Sequence, residues 1–359
     1  MSKMTKTIIK LTVRDVRFPT SLEQHGSDAM HTDPDYSVAY VVIETDQGMQ
    51  GYGLTFTVGR GTEIDWTRER SHSVGHCGGP ECSMGPLGAV RGQGETLDPL
   101  DQMLKEGYPA YTTSCAWLGY SDQLLKQLCT DALNDGWTKF KVKVGADLKD
   151  DIRRCSLIRQ MIGPHNTLMI DANQRWDVGE AITWVTRLAE YKPLWIEEPT
   201  SPDDILGHAA ISKALAPLGI GVATGEQCHN RVMFKQFLQA SALQFVQIDS
   251  CRLGSVNENL AVLLMAHKFK VPVCPHAGGV GLCELVQHLI LFDYISVSAS
   301  LDNRMCEFVD HLHQHFRSPV VIQNAHYMPP KDPGYSCEML ESSVQTHQYP
   351  QGQVWKKLQ

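Results

Sequence analysis

Three absences narrow the reading of this sequence before any motif is considered. No apolar run approaches the eighteen or so residues that a membrane-spanning helix needs, so an integral membrane protein of the helical kind is not expected. Positive charge is not in surplus: 32 Lys and Arg stand against 40 Asp and Glu, a net charge of −8. That argues against a general nucleic-acid binder, which carries a basic face. No Gly-rich phosphate turn follows a first strand, which disfavours a doubly wound dinucleotide-binding sheet. The eleven cysteines are scattered singly, and Cys129, Cys155 and Cys274 fall inside apolar stretches. This is the pattern of reduced, buried thiols and not of a disulfide framework. No secretory signal is present. The first fourteen residues hold Lys3, Lys6, Lys10 and Arg14 and no acid, a composition compatible with mitochondrial import, the cytosol being the other expectation. The same stretch alternates Ile9, Leu11 and Val13 as a strand would.

What is present is a large core. Hydrophobic residues make up 42% of 359 and charged residues 20%, the balance of a globular chain. From Tyr111 onward, eight strand-like runs alternate with helical patterns: AYTTSCAW, FKVKVG, LMIDAN, LWIEEP, GVATGE, FVQIDS, VPVCPH and ISVSAS. Ser121 caps one helix, and Asp177 with Glu180 forms a capping box for another. Val256–Phe269 and Leu282–Phe292 read as helices too. Such alternation predicts a parallel (β/α) barrel. Residues from about Thr7 to Thr57 read instead as antiparallel strands, with a turn at Asp46-Gln47-Gly48 and a polar stretch between Pro19 and Tyr36.

Six consecutive strands carry polar residues at their C-terminal ends, where barrel enzymes build their sites. These are Lys141 and Lys143, Asp171 and Asn173, Glu197 and Glu198, then Glu226, Asp249 and His276. The steps are 28 (143 to 171), 26 (171 to 197), 29 (197 to 226), 23 (226 to 249) and 27 (249 to 276), each one strand–helix unit. A single charge at a strand end is ordinarily a solvated surface residue; the recurrence predicts a shared mouth. Asp171, Glu197 and Glu226 offer three carboxylates with no thiolate or imidazole among them, a hard oxygen set suited to Mg²⁺. Lys141 and Lys143 are two apart on a strand and face the interior together. Two neighbouring ammonium groups are expected to depress each other's proton affinity and make one a base. Asp249 is placed to orient the imidazole of His276.

This set resembles the mandelate-racemase-type branch of the enolase superfamily, through the Lys-x-Lys pair, the three acids and the Asp/His pair. Within that branch the stretches TSCAWLGYSD, WIEEPTSPDDILGHA, ATGEQCHNR, CPHAGGVGLCE and CEFVDHLHQHF are similar to L-fuconate dehydratases. The resemblance covers Thr7 to Thr57 and Leu104 to the C-terminus. It implies an α/β chain: a TIM-like (β/α)₇β barrel under an N-terminal α+β cap. Residues 1–61 are then cap strands and lid, 62–103 an anomalous irregular segment, 104–320 the barrel, and 321–359 a return towards the cap. It also implies Mg²⁺ on Asp171, Glu197 and Glu226, the first acid of the Glu197–Glu198 pair being the family's ligand. In the implied reaction Lys143 takes the C2 proton of L-fuconate, and Lys141 and the metal stabilise the enediolate. His276, oriented by Asp249, then protonates the departing C3 hydroxyl. Asn173, Glu307 (just past the last strand) and the lid residues Gly26, Ser27, Asp28 and Tyr36 are the implied substrate contacts. The same ring also serves racemases and dehydratases of other sugar acids. A homo-oligomer is compatible with the chain, which does not specify one.

The chain departs from the family between Thr62 and Gly94. WTRERSHSVGHCGGPECSMGPLGAVRGQG has neither helical nor strand periodicity, and the spacing of His72, His76, Cys77 and Cys82 matches no standard zinc finger or ribbon. Codons that encode Trp66 to Ala89, read one base later, permit GLEKGVIQLATAAVLNAVWDLWA, an apolar helix similar to the family's cap helix. We read the segment as an alternatively spliced or mispredicted product, with an out-of-frame exon and a deletion before Met103 that restores the frame; sequencing the transcript tests this. The expected consequence is cap strands without packing partners, a poorly held lid, and Mg²⁺ binding with weak or absent turnover. A non-catalytic isoform is therefore the third functional expectation.

Overall fold

The computed structural model describes residues 6–59, residue 62 and residues 98–358. The odd segment up to residue 97, with His72, His76, Cys77 and Cys82, lies outside the described residues. The chain opens with a three-stranded antiparallel sheet of β1 (Ile8–Arg17), β2 (Ser37–Thr45) and β3 (Gln50–Thr57), with β2 in the centre. Its register pairs Leu11 with Ile43 and Val13 with Val41, which puts these side chains on one face. Val16, Val38, Tyr40 and Phe56 occupy the other face and are buried against the rest of the molecule. The outward face leaves Ile9 66% and Leu11 46% exposed.

A short helix, Pro99–Glu106, starts on the Asp98 cap and leads into the first barrel strand. That strand is β4 (Tyr108–Thr112), followed by β5 (Lys139–Lys143), β6 (Thr167–Asp171), β7 (Trp195–Glu197), β8 (Gly221–Thr224) and β9 (Phe245–Val246), all parallel neighbours. The seventh position is taken by residues 273–276, joined to the sixth by bridges Val246–Val273 and Asp249–His276. The eighth is β10 (Cys306–Phe308), whose Glu307 N–H donates to Pro275 C=O of the seventh at 3.1 Å and which pairs with β4. The circuit is thereby closed, with helices Asp122–Asn134, Leu148–Ile162, Val178–Leu188, Ile205–Leu215, Arg231–Gln239, Ser255–Phe269 and Leu282–Phe292 after its first seven strands. Ser121 and Asp177 cap their helices as predicted, accepting from Leu124 N–H and Glu180 N–H.

One expected strand is wrong. ISVSAS belongs to a π-helical extension, Asp293–Ser298, of the preceding helix, and the eighth strand is CEF instead. The run is β-branched on alternate positions, but it follows a helix without a break, and the barrel closes only with the next apolar stretch. Glu307 consequently lies within the last strand and not past it.

Period-two alternation divides each barrel strand between two environments. Phe140, Val142, Leu168, Ile170 and Ile196 point outward into the core shared with the helices. Tyr111, Met169, Trp195, Ala223, Phe245, Cys274 and Met305 form a separate apolar layer inside the barrel. Lys141, Lys143, Asp171 and Glu197 share the inward side with that layer, so they crown a filled interior and not a pore. The nine described cysteines are all free, and among the described residues no helix is long and apolar enough to cross a membrane.

Candidate active site

The lateral register brings the ring together. Lys143 lies beside Asp171, and Asp171 beside Glu197, in paired positions of neighbouring strands. Lys141 Nζ donates to Glu197 Oε1 at 2.5 Å and stands 3.2 Å from Asp171 Oδ2 and 2.8 Å from Glu307 Oε1. Lys143 Nζ donates to Asp171 Oδ2 at 2.6 Å and to Asn173 Oδ1 at 2.9 Å. Across the mouth, His276 Nδ1 meets Asp249 Oδ2 at 2.8 Å, while its Nε2 faces Glu226 Oε2 at 3.4 Å and Glu307 Oε2 at 3.7 Å. The other oxygen of Asp249 accepts two backbone N–H bonds, from Cys251 and Arg252, at 2.7 Å each. All these side chains are buried.

Lys141 does depress the proton affinity of Lys143, but it does not set the net direction. Burial is the strongest influence against the Lys143 ammonium and Lys141 adds to it, but the carboxylates of Asp171, Asp28 and Glu226 together outweigh them and hold its pKa above the ordinary lysine value. Lys141 is likewise raised, burial being outweighed by Glu197 and Glu307. Carboxylates within hydrogen-bonding distance act more strongly than a second ammonium two residues away. For His276, burial is opposed by Glu226 and Asp249, which raise its pKa. Glu197 is pushed up to about 8, by burial first and then by the charge of Asp171.

Above the ring is a cavity of about 80 Å³. Of the residues singled out from sequence, Gly26, Asp28, Tyr36, Lys143, Asn173 and Glu226 line it, together with His276 and Glu307. Lys141, Asp171, Glu197 and Asp249 lie beneath as its buried supports. Ser27 is not in the lining; its hydroxyl donates to Thr32 C=O at 3.0 Å, a bond internal to the lid. Asp28 also serves its own loop, accepting from the N–H groups of Met30 and His31 at 2.7 Å. The lid is fastened to the barrel at two points. Leu118 N–H donates to Ser27 C=O at 3.0 Å and His25 Nδ1 lies 2.7 Å from the Tyr120 hydroxyl. Its fastenings are on the first barrel loop, which the odd segment does not touch in sequence.

Several lining residues escaped the sequence reading. Arg252 bridges Glu226 (3.2 Å) and Asp249 (3.5 Å); it is three residues after Asp249, the only signal available. Gln174 follows Asn173 directly. Phe56 and Val58 of the cap, Trp117 and His31 carry no spacing that relates them to the barrel ends. A larger surface cavity of about 620 Å³ lies between the helix Asp122–Asn134 and the hairpin near Asn324, away from the acid–base groups.

Among the described residues no three His, Cys, Asp or Glu side chains meet at one point suited to an ion; the ammonium groups of Lys141 and Lys143 stand between the carboxylates. The donor set nevertheless fits a hard divalent cation. Six buried acids (Asp171, Glu197, Glu198, Glu226, Asp249 and Glu307) face three permanent cations, Lys141, Lys143 and Arg252. Glu198 Oε1 is wholly buried with no hydrogen-bond partner. Buried carboxyl groups in excess of the cations around them ionise fully only when a further cation joins them.

A closed eight-strand barrel with lysines on the second strand, acids on the third to fifth, and an Asp/His pair on the sixth and seventh, under an antiparallel cap, defines a distinct class of enzyme fold. The chain belongs to the enolase superfamily, and residues 124–343 match the family model described as "Enolase C-terminal domain-like". It is 60% identical to mitochondrial enolase superfamily member 1 of Homo sapiens, over 98% of both chains. It is 43% identical to L-galactonate dehydratase of Hypocrea jecorina, over 96% of this chain and 94% of the relative. The crystal structure of the human protein superposes with a TM-score of 0.88 at 56% identity, covering 98% of each chain. The human alignment runs over 432 positions against the 359 residues here, so at least 73 positions of it have no counterpart in this chain.

Proposed function

We propose that the chain is a Mg²⁺-dependent sugar-acid dehydratase whose substrate is L-fuconate. The observation that carries the reading is one cavity lined by both a lysine from the second barrel strand and a histidine from the seventh. Two proton-transfer groups on different walls suit a reaction that removes a proton from one carbon and delivers one to a leaving group on the next.

Asp171, Glu197 and Glu226 are the residues that hold Mg²⁺, which when bound supplies the positive charge that makes a proton beside a carboxylate removable. Lys143 takes the C2 proton as a free amine, so in the loaded site the hold of Asp171 on its ammonium has to be released. Lys141 faces the negative charge that develops on the substrate carboxylate. His276, held through Nδ1 by Asp249, delivers a proton to the C3 hydroxyl, which leaves as water. The remaining enol tautomerises to 2-dehydro-3-deoxy-L-fuconate. Asn173, Glu307, Asp28 and Tyr36 contact the substrate, and Gly26 leaves the room that Tyr36 occupies.

The cavity wall supports a 6-deoxy acid. Phe56, Val58 and Trp117 give it apolar surface suited to a terminal methyl group. Its cationic residues other than the proposed base and acid are committed: Arg252 to Glu226 and Asp249, His31 to Asp28. A second carboxylate, as in an aldarate, would meet no uncommitted cation among the described residues.

The experiment is to follow a panel of L-fuconate, L-galactonate and galactarate with Mg²⁺ in deuterated solvent. Deuterium at C2 and 2-keto-3-deoxy acid from L-fuconate in preference to the others are expected. Preference for galactarate would overturn the substrate assignment. The second reading is an isoform impaired in turnover, favoured by the exposed outer face of the cap and the unmatched alignment positions. No exchange at C2 with any of the three acids would select it. The relatives' name and the four cations among the first fourteen residues support mitochondrial import, which imaging of the tagged full chain tests.

A further inference from the structure

Glu198 has no part in the mechanism above, yet the structure spends unusual geometry on it. In a strand that alternates in and out, the residue after the inward Glu197 should turn towards the helices. The backbone of Glu198 is instead left-handed, with φ of +42°, and so are Asn173 (+46°) and Gln174 (+67°) at the adjoining strand end. Three neighbouring non-glycine residues in this region are a concentration of backbone strain of the sort that persists where a site is over-determined by its surroundings. The result is a clamp. Gln174 N–H donates to Glu198 C=O at 2.7 Å, and Gln174 Nε2 donates to Glu198 Oε2, also at 2.7 Å.

The clamp uses one carboxylate oxygen and leaves Oε1 without a partner, although the residue is fully buried. The neighbouring Glu197 is the opposite case: Oε1 receives Lys141 and Oε2 receives Trp195 Nε1 at 3.1 Å. The charged groups that act on Glu198 most strongly are Glu226 and Asp171, two of the acids assigned to the cation, with Arg252 as the opposing cation. A buried carboxylate oxygen with no donor is expensive unless something meets it in the working state.

We propose that Glu198 is a fourth carboxylate of the cation site: a positioning residue, fixed by Gln174, whose free oxygen serves the cation held by Asp171, Glu197 and Glu226. The proposal rests on the Mg²⁺ reading and adds to it a residue pair: Glu198, which lies outside the cavity lining, and Gln174, which holds it. Partners of this kind behind metal ligands commonly change affinity about 10–100-fold when removed.

The test uses the full chain and Mn²⁺ alone as probe, with free Mn²⁺ measured by electron paramagnetic resonance, and melting temperatures recorded in EDTA. Glu198→Gln is expected to weaken Mn²⁺ binding by about 10–100-fold while the EDTA melting temperature stays the same or rises, because an unpaired buried acid has been removed. Gln174→Met, which frees the carboxylate without deleting it, weakens binding in the same direction by less and serves alone if Glu198→Gln does not fold. Unchanged Mn²⁺ affinity in the variants, with the parent chain binding, overturns the role of Glu198 and leaves the metal reading standing. A lower melting temperature in EDTA would make Glu198 a structural prop and also overturns it. Absence of Mn²⁺ binding by the parent chain overturns the metal reading itself.

Discussion

The cap sheet and the barrel are built from the same alternating strands, but they meet different surroundings. In β5 both sides of the strand are covered: Phe140 and Val142 pack against helices, Lys141 and Lys143 against buried acids. In β1 one side is covered through Val16, while Ile9 and Leu11 remain largely exposed. A strand buried on both faces can hold charged groups to within hydrogen-bond distance, because neither side has freedom to shift. A strand buried on one face can position only what it lays on its neighbour. The cap does this with Phe56 and Val58, which close the cavity over the ring. Chemistry therefore stands on the barrel and enclosure on the cap, and a change on the outer cap face leaves the ring geometry alone.

The sharpest way to break this division is within the ring. Lys143→Met is expected to lower both C2 exchange and dehydration, and His276→Asn to lower dehydration alone, each by about 10²–10⁴-fold. Proton NMR in deuterated solvent separates the two, and loss of exchange in His276→Asn would show that the two residues do not divide the steps. Next comes the barrel core: Leu188→Ala, at a wholly buried helix position, should cost about 2–5 kcal/mol in denaturant unfolding.

Gly26→Ala tests enclosure. An added Cβ would stand 2.2 Å from the Tyr36 hydroxyl oxygen at a φ of +78°, so kcat/KM should fall by up to about 10²-fold as the lid shifts. An unaltered kcat/KM would mean that Tyr36 does not depend on this close approach.

A smaller effect is expected at the seam between cap and C-terminal segment. His315 rests on Phe18 with ring centroids 4.6 Å apart, and burial, with His347 adding repulsion, pushes its pKa down to about 4. The folded chain disfavours the protonated ring, so this contribution is complete above the ordinary value of 6.5 and is lost as pH falls towards about 4. Melting temperature against pH should drop across that window, less so in His315→Gln. Smallest of all, Leu11→Ser should stay within about 0.5 kcal/mol; a larger loss would show that the outer cap face is covered.

Much of the barrel was legible because its signals are local. Apolar runs ending in a polar residue at steps of 23 to 29 residues locate strands and mouth together, and a capping Ser121 or Asp177 announces its helix. ISVSAS misled because β-branched composition cannot tell a strand from a helix extension that follows without a break. Arg252, Trp117 and Phe56 were missed for another reason. They reach the cavity from loops and from another layer, and distance along the chain says nothing about that approach.

The sequence by itself determined which residue types stand at the barrel mouth, and in what order, since strand period and unit length dictate both. Only the tertiary structure decided their state. It set Asp171 against Lys143 strongly enough to outweigh a second lysine, fastened the lid to the Leu118 and Tyr120 loop, and turned Glu198 back onto Gln174 with one oxygen unpaired. Charge, burial and close approach are properties of groups distant in sequence, and they come into being only when the strands close.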